Sequence, residues 1–294
     1  MFNKGNLPTW MSQQQGQDGF EDVNPQSRNY SYYKLAQGIS PVVAEGLVNV
    51  GSFYETDEKV SLGRTRKILV FKKRVSRKLL GDQGKFIACR GYELANGGKA
   101  FVYLKNASKF SERMLAEFKV PALDNADGRL ERSCKNCSLK EWTEDATKKI
   151  APPCSVVHEV FFVDITESTE PKVRLIEVAE KSAIGKACAK ELNNQLLKIK
   201  KSGAPIWSAI WELEATPIKN KSGNTLWFPK FTPTEWASEE LFELGKMLFD
   251  EYEDVQIGAL STSGGDDETT ALEAPPDVEE GSAFGVSDNS SKWS

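Results

Sequence analysis

The alternation of apolar and polar positions between residues 155 and 231 predicts two pairs of strands separated by one helix. The first pair is rich in β-branched and aromatic residues and flanks a short polar turn. Ser182 then precedes apolar residues at helical spacing, and Gly203 ends the run, which predicts a capped helix. The four predicted strands cover 155–165, 172–178, 205–213 and 225–231.

Patterned segments upstream of residue 155 predict further strands. They cover 29–35, 47–54, a basic strand within 64–78, 85–89, and 99–104 after the turn Asn96-Gly97-Gly98. One upstream strand added to the four downstream strands gives five, with the helix between the third and the fourth. This is the plan of the OB-fold. We therefore predict a mostly β (α+β) body over residues 26–234, an OB-fold-like five-stranded barrel with an N-terminal β extension.

The two ends of the chain differ in composition from the body. Residues 1–25 are rich in Gln, Asn and Gly and lack periodicity, which predicts a flexible leader. Thr234 is predicted to cap a helix that ends near residue 254, within an acidic segment spanning 235–257. Gly, Ser, Thr, Pro and acids dominate residues 258–294, which predicts a disordered acidic tail.

The net charge of -4 conceals a strong asymmetry along the chain. Residues 235–258 and 259–294 each carry a net charge of -7, which leaves +10 on residues 1–234. Such a division favours a body that binds a polyanion and a tail that competes with the ligand or recruits partners. An acidic tail that only improves solubility is the alternative.

The densest basic segment runs from Arg64 to Lys78 and contains eight cations and no acid. Cations at this density repel one another unless an anion neutralises them. Single-stranded nucleic acid binds where cations lie beside aromatic rings, although most rings of a β body belong to its core, as we predict for Trp207 and Trp211. The predicted nucleic-acid contacts are Arg64, Arg66, Lys67, Phe71, Lys72, Lys73, Arg74, Arg77, Lys78, Tyr92, Lys99 and Tyr103, with the lysines of the predicted helix ranked after them.

The cysteines predict a structural zinc site rather than disulfides, because five is an odd number and the chain has the character of a cytoplasmic protein. Cys134 and Cys137 form a C-x2-C knuckle, and Cys154 follows two prolines. Tetrahedral Zn2+ needs a fourth ligand, which we expect to be Cys89, with His158 as the alternative. Unpaired thiols are the simpler explanation. Cys188 belongs to the apolar stripe of the predicted helix.

Several classes of protein find no support in the sequence. There is no apolar run long enough to span a membrane, and the N-terminus lacks a secretory signal, so we expect a soluble cytoplasmic protein. With one histidine and no P-loop or H-E-x-x-H motif, we predict that the protein is not an enzyme. A metal-dependent nuclease built on Asp164, Glu177 and Glu180 stays as one alternative, and a zinc-containing adaptor or transcription regulator that acts through protein contacts as another.

Three segments give the chain a likeness to a known family. They are Lys34–Pro41, Gly203-Ala204-Pro205-Ile206-Trp207 and Trp227-Phe228-Pro229-Lys230-Phe231. With the predicted architecture, they resemble phage single-stranded DNA-binding proteins of replication and recombination. The resemblance implies an OB-fold with a basic cleft, a structural Zn2+ and a location in the host cytoplasm. It also implies an acidic C-terminal tail that binds replication or recombination proteins. Whether the protein forms a homo-oligomer on DNA is left open by the resemblance. The tail ends Lys292-Trp293-Ser294 instead of in an acidic run.

Overall fold

The computed structural model describes most of the body. The described residues are 31–80, 87–92, 99–104, 110–119, 129–141, 143–145, 148–150, 152–166, 171–220 and 223–252. The predicted leader and tail, 1–25 and 258–294, lie outside them. The fold is mixed α/β with strands predominating, which confirms the predicted mostly β character.

Thirteen strands and four helices make up the described part of the chain. The strands are β1 (Ser31–Leu35), β2 (Phe53–Glu55), β3 (Ser61–Gly63), β4 (Thr65–Leu80), β5 (Ile87–Gly91), β6 (Lys99–Tyr103), β7 (Arg129–Ser133), β8 (Thr143–Asp145), β9 (Lys148–Ile150), β10 (Cys154–Asp164), β11 (Val173–Ala179), β12 (Ala209–Lys219) and β13 (Thr225–Trp236). The helices are α1 (Pro41–Ala44), α2 (Glu112–Phe118), α3 (Ala183–Lys201) and α4 (Glu239–Glu251).

Eleven of these strands form one open sheet in place of the predicted five-stranded barrel. Its main path is β3-β2-β1-β11-β10-β4-β5-β6-β7, and β12 and β13 branch from β4. The branch exists because β4 is 16 residues long. Its first part pairs with β12 and its last part with β5, while β10 runs along the opposite edge. Strands β8 and β9 form a separate pair.

The predicted order of the C-terminal half is confirmed by β10, β11, α3, β12 and β13. The side chain of Ser182 accepts a hydrogen bond from the backbone of Gly185 and caps α3, as predicted. The last helix differs from the prediction, because Ser238 caps it and not Thr234. The hydroxyl of Thr234 donates instead to the carbonyl of Ile210, since β13 continues as far as Trp236.

A helix packs on each face of the sheet. On one face α3 covers Val160, Phe162 and Ile176, and on the other α4 covers Phe161 and Leu175. Alternation along β10 therefore sends neighbouring side chains into different cores. None of the described helices is both long enough and apolar enough to cross a membrane.

Trp207 and Trp211, the two tryptophans predicted to lie in the core, belong to different cores. Trp211 is fully buried beneath α3. Trp207 packs instead on the α4 side, with its ring centroid 4.8 Å from that of Phe249. Residues Ile206–Ser208 form a 3-10 turn, so the alternation of a strand does not yet apply at Trp207.

Candidate functional site

The cations of β4 are neutralised largely by carboxylates on neighbouring strands. The Nε of Arg66 donates to Asp164 of β10 at 2.7 Å, and a guanidinium nitrogen of Arg74 lies 2.7 Å from Glu159 of the same strand. All four side chains are buried. The anion that the sequence requires for these two arginines is therefore supplied inside the fold.

Glu159 is the centre of a larger buried network on the α4 face of the sheet. It accepts from Arg74 and from the hydroxyl of Ser76, and the Nε of Arg90 on β5 lies 3.1 Å away. Arg90 also pairs with Glu177 of β11, which in turn contacts the Nζ of Lys78 at 3.1 Å. These charges join four strands. Each of the two carboxylates, the buried Glu159 and the partly buried Glu177, has two cationic partners.

The electrostatics of Glu177 follow from this environment. Burial alone would raise the pKa of its carboxyl, but the charges and hydrogen bonds of Lys78 and Arg90 lower that pKa to about 2. Burial would likewise raise the pKa of Asp164, and hydrogen bonds from Arg66 and Tyr33 lower it below its ordinary value. Both carboxylates are therefore charged at neutral pH, as ion-pair partners of the β4 cations.

The remaining predicted cations of β4 occupy varied positions. The Nζ of Lys72 donates to the carbonyl of Tyr252, and that of Lys73 donates to Asn193 of α3 at 2.8 Å. Burial lowers the pKa of Lys73. Arg77 lines a cavity beside the cysteines. Lys67 is exposed and lies 3.2 Å from Glu235.

Arg64 and the predicted stacking rings divide into accessible and inaccessible groups. Arg64 is exposed and lies over the half-buried ring of Trp227, 4.6 Å from its centroid. Phe71 and Tyr92 are fully buried, so their rings offer no surface to a base in this conformation. Phe71 packs against Tyr252, and the face of Tyr92 is covered by Arg74. The side chains of Lys99 and Tyr103 lie outside the described part of the chain.

Two helices carry opposite charge on opposite faces of the sheet. α3 has five lysines and one glutamate, and all six side chains are exposed. α4 has five acids and one lysine, and these are also exposed. The net charges of the two helices are thus +4 and -4. Because each helix buries its apolar stripe against the sheet, its charges face outward.

The lysines of α3 are concentrated on one stripe. Lys186, Lys190 and Lys201 recur at intervals of about whole helical turns, so they project on the same side. Leu197, 52% exposed, lies on this stripe as well. Sequence analysis ranked these lysines below β4, because it could not see that β4 has internal partners.

The four cysteines predicted to bind zinc come together at the far end of β4. Cys89, Cys134, Cys137 and Cys154 all line one cavity of about 150 Å³. No group of three or more His, Cys, Asp or Glu side chains in the described ranges is arranged to hold a metal ion as it stands. The fifth cysteine, Cys188, packs at the edge of the core beneath α3.

His158, the alternative fourth ligand, has another partner. Its Nε2 lies 2.6 Å from Glu180, and the ring is buried in β10. At about 3.3 Å per residue, His158 lies roughly 13 Å along the strand from Cys154. The geometry therefore favours Cys89 as the fourth member of the cysteine group.

The carboxylates considered for a nuclease do not converge. Asp164 pairs with Arg66, Glu177 with Lys78 and Arg90, and Glu180 with His158. Each is held by a different partner, so the described residues offer no shared position for a catalytic ion.

Arg90 and Glu159 are structural residues that sequence reasoning missed. Glu159 stands inside the apolar stretch of β10, and a charge in a strand buried on both faces signals a buried partner. That signal was available in the sequence. The identity of the partner was not, because Arg90 lies 69 residues earlier in the chain.

Comparison with known proteins does not assign the chain to a family. No protein-family profile, curated protein or solved structure matches the chain.

Proposed function

We propose that this protein binds single-stranded nucleic acid without catalysing a reaction, and that phosphates contact the exposed lysines of α3. The observation that carries the proposal is the outward +4 charge of α3 on a face of the sheet opposite to the -4 charge of α4. A polyanion is attracted to the first face and repelled by the second. Of the predicted contacts between Arg64 and Lys78, Arg64 and Lys67 keep exposed side chains that can add to this surface.

The strand connections support an OB-like arrangement within the larger sheet. β4 pairs with both β10 and β12, β10 with β11, and β12 with β13, and α3 connects β11 to β12. These are the neighbours that the five strands of an OB-fold have, apart from the contact between its third and fifth strands. Here β1 lies parallel to β11 in that position, and the residues that follow it bind β13. We propose that β1 is an inserted sixth strand of an incompletely closed barrel.

The predicted tail belongs to the same proposal. Residues 259–294 carry a net charge of -7 and end in a segment that contains Trp293. We propose that the tail competes with nucleic acid for the α3 surface, and that nucleic acid releases it to bind replication or recombination proteins.

A fluorescence anisotropy titration with single-stranded and duplex oligonucleotides at two salt concentrations tests the binding proposal. Replacing Lys186, Lys190 and Lys201 with Gln should weaken single-strand binding about tenfold or more at low salt, because three phosphate contacts are lost. The slope of log K against log salt should fall by about 2, since each phosphate contributes about 0.7.

The matched control replaces three exposed lysines outside α3, Lys172, Lys219 and Lys246, with Gln. It changes the net charge equally and should leave affinity nearly unchanged. Equal losses in the two variants would show that only net charge matters, and absence of binding to any oligonucleotide would overturn the proposal.

A second candidate function is a protein adaptor that binds through α4. Beside its acids lie Met247, 53% exposed, and Trp236, 51% exposed. Exposed apolar side chains within an acidic surface suit a basic, amphipathic partner. This candidate predicts weak nucleic-acid binding that does not increase with oligonucleotide length in the same titration.

A further inference from the structure

The four cysteines around one cavity come from three separate parts of the chain. Cys89 lies on β5, Cys134 directly after β7, Cys137 before the 3-10 helix Ser138–Lys140, and Cys154 at the start of β10. Leu79 of β4 pairs with Cys89 on one side and with Cys154 on the other. Directly paired residues face the same side of a sheet, so these two thiols project together.

The knuckle lies against the same face of β5. A Cβ added to Gly91 would meet the Sγ of Cys134 at 2.7 Å, so the sulfur occupies the space that a side chain at residue 91 would fill. Residues 89 and 91 of a strand share one face. The absence of a side chain at Gly91 therefore allows the Cys134 thiol to approach the strand that carries Cys89.

The turn at Cys137 has the local form of a metal knuckle. The backbone N–H of Leu139 donates to the Cys137 thiol, and the 3-10 helix begins immediately after that cysteine. Leu139 itself is buried against Phe110 and Phe118, which holds this turn in place.

The charges around the cavity complement a metal with four thiolates. The charged residues that line the cavity are Arg77, Arg132, Lys140 and Glu117, with a combined charge of +2. A Zn2+ ion with four thiolates carries a charge of -2. The net positive charge of these side chains therefore favours a negatively charged metal complex in the cavity.

Cys134 is buried, and the other three cysteines of the group are partly buried. Rotation about a single side-chain bond moves a cysteine sulfur between staggered positions without displacing the backbone. The thiols can thus turn toward an ion at the centre of the cavity.

From this geometry we propose that Cys89, Cys134, Cys137 and Cys154 bind one structural Zn2+ ion. The ion links the ends of β5, β7 and β10. Its four positions are filled by protein ligands, so it leaves none for a catalytic water. The inference does not depend on the proposed nucleic-acid function.

Metal analysis of the full-length protein, purified without chelators, tests the site. We expect one zinc per chain in the unchanged protein and in two controls, Cys188→Ser and His158→Gln. Cys89→Ser, Cys134→Ser, Cys137→Ser and Cys154→Ser should each lose the ion. Co2+ added to the metal-free protein should give the charge-transfer and ligand-field absorption of a tetrahedral all-thiolate site.

A conservative variant separates loss of a ligand from loss of the fold. Cys154→His should keep one metal per chain, while its Co2+ spectrum changes to that of three thiolates and one imidazole. The proposal is overturned if the unchanged protein binds neither Zn2+ nor Co2+. It is also overturned if His158→Gln loses the ion while Cys89→Ser retains it, because His158 would then be the fourth ligand.

Discussion

The side-chain amide of Gln37 makes two hydrogen bonds with the backbone of Trp227, 190 residues later in the chain. Its Nε2 donates to the Trp227 carbonyl at 2.8 Å, and its Oε1 accepts from the Trp227 N–H at 2.9 Å. The amide thereby imitates one residue of a β ladder between the segment after β1 and the free edge of β13. β13 also contains Pro229 and Pro233, which cannot donate to a further strand.

Replacing Gln37 with Ala should lower the free energy of unfolding by about 1–3 kcal/mol, because two backbone groups of Trp227 lose their partner. Urea denaturation followed by tryptophan fluorescence measures the change. Gln195→Ala is the control, since the Gln195 side chain donates to the exposed Glu191 one turn away on α3, and it should cost less than about 0.5 kcal/mol. Similar losses of unfolding free energy in both variants would show that the two hydrogen bonds of Gln37 do not stabilise the fold.

Replacing Glu159 with Gln should destabilise the protein by about 3–5 kcal/mol. The change removes the negative charge that Arg74 and Arg90 share in a buried environment. Equilibrium denaturation measures the loss. Glu214→Gln removes an exposed carboxylate 3.7 Å from Lys230 and should cost under about 1 kcal/mol. If the two variants unfold at the same denaturant concentration, the buried network is not a source of stability.

Glu177 should make stability fall in acid. Its pKa of about 2 in the folded protein lies below that of an unfolded glutamate, so its contribution is complete above pH 4.5. That contribution is lost as the pH falls through 2 and is on the order of 3 kcal/mol. Denaturation at a series of pH values between 6 and 2 measures it. Glu177→Gln should be less stable at neutral pH and show a shallower decline. An unchanged slope would contradict the assignment.

A methyl group added at Gly245 should loosen α4 from the sheet. A Cβ at this position would lie 2.6 Å from the Cβ of Trp207, so the helix or the tryptophan must move. Gly245→Ala should therefore cost about 1–3 kcal/mol despite the better helix propensity of Ala. Gly38→Ala is the control, because an added Cβ there has no atom within 4 Å. A change in Trp207 fluorescence restricted to the first variant would support the contact, and equal stability of the two would refute it.

Removing residues 259–294 should tighten nucleic-acid binding, most strongly at low salt, because the segment carries a net charge of -7. Anisotropy titrations of the full-length and shortened chains across a salt series measure this. The same affinity for both chains at every salt concentration would exclude competition by the tail.

Local pattern predicted the C-terminal half of the fold well. β10, β11, α3, β12 and β13 each have a clear period and a recognisable turn or cap, such as Ser182 before α3. The predicted start of α4 was wrong because the sequence contains two residues near this point, Thr234 and Ser238, that can both cap a helix. Only the pairing of Trp236 with Ala209 assigns Thr234 to a strand.

The candidate site was less predictable than the fold. The sequence grouped Arg66, Arg74 and Lys78 as a surface, yet each has a carboxylate partner between 85 and 99 residues away. Sequence spacing gives no information on such pairs. The cysteine group was predictable in part, because the C-x2-C spacing of Cys134 and Cys137 and the two prolines before Cys154 are visible in the sequence.

The sequence by itself determined the strands and the helix of residues 155–231 and the distribution of charge along the chain, since both depend on residues close to one another. Tertiary structure alone decided which cations face solvent. A strand presents its side chains to two faces, and whether a face is water or another strand depends on pairing between distant segments. Arg74 faces Glu159 inside the fold, whereas the lysines of α3 face solvent.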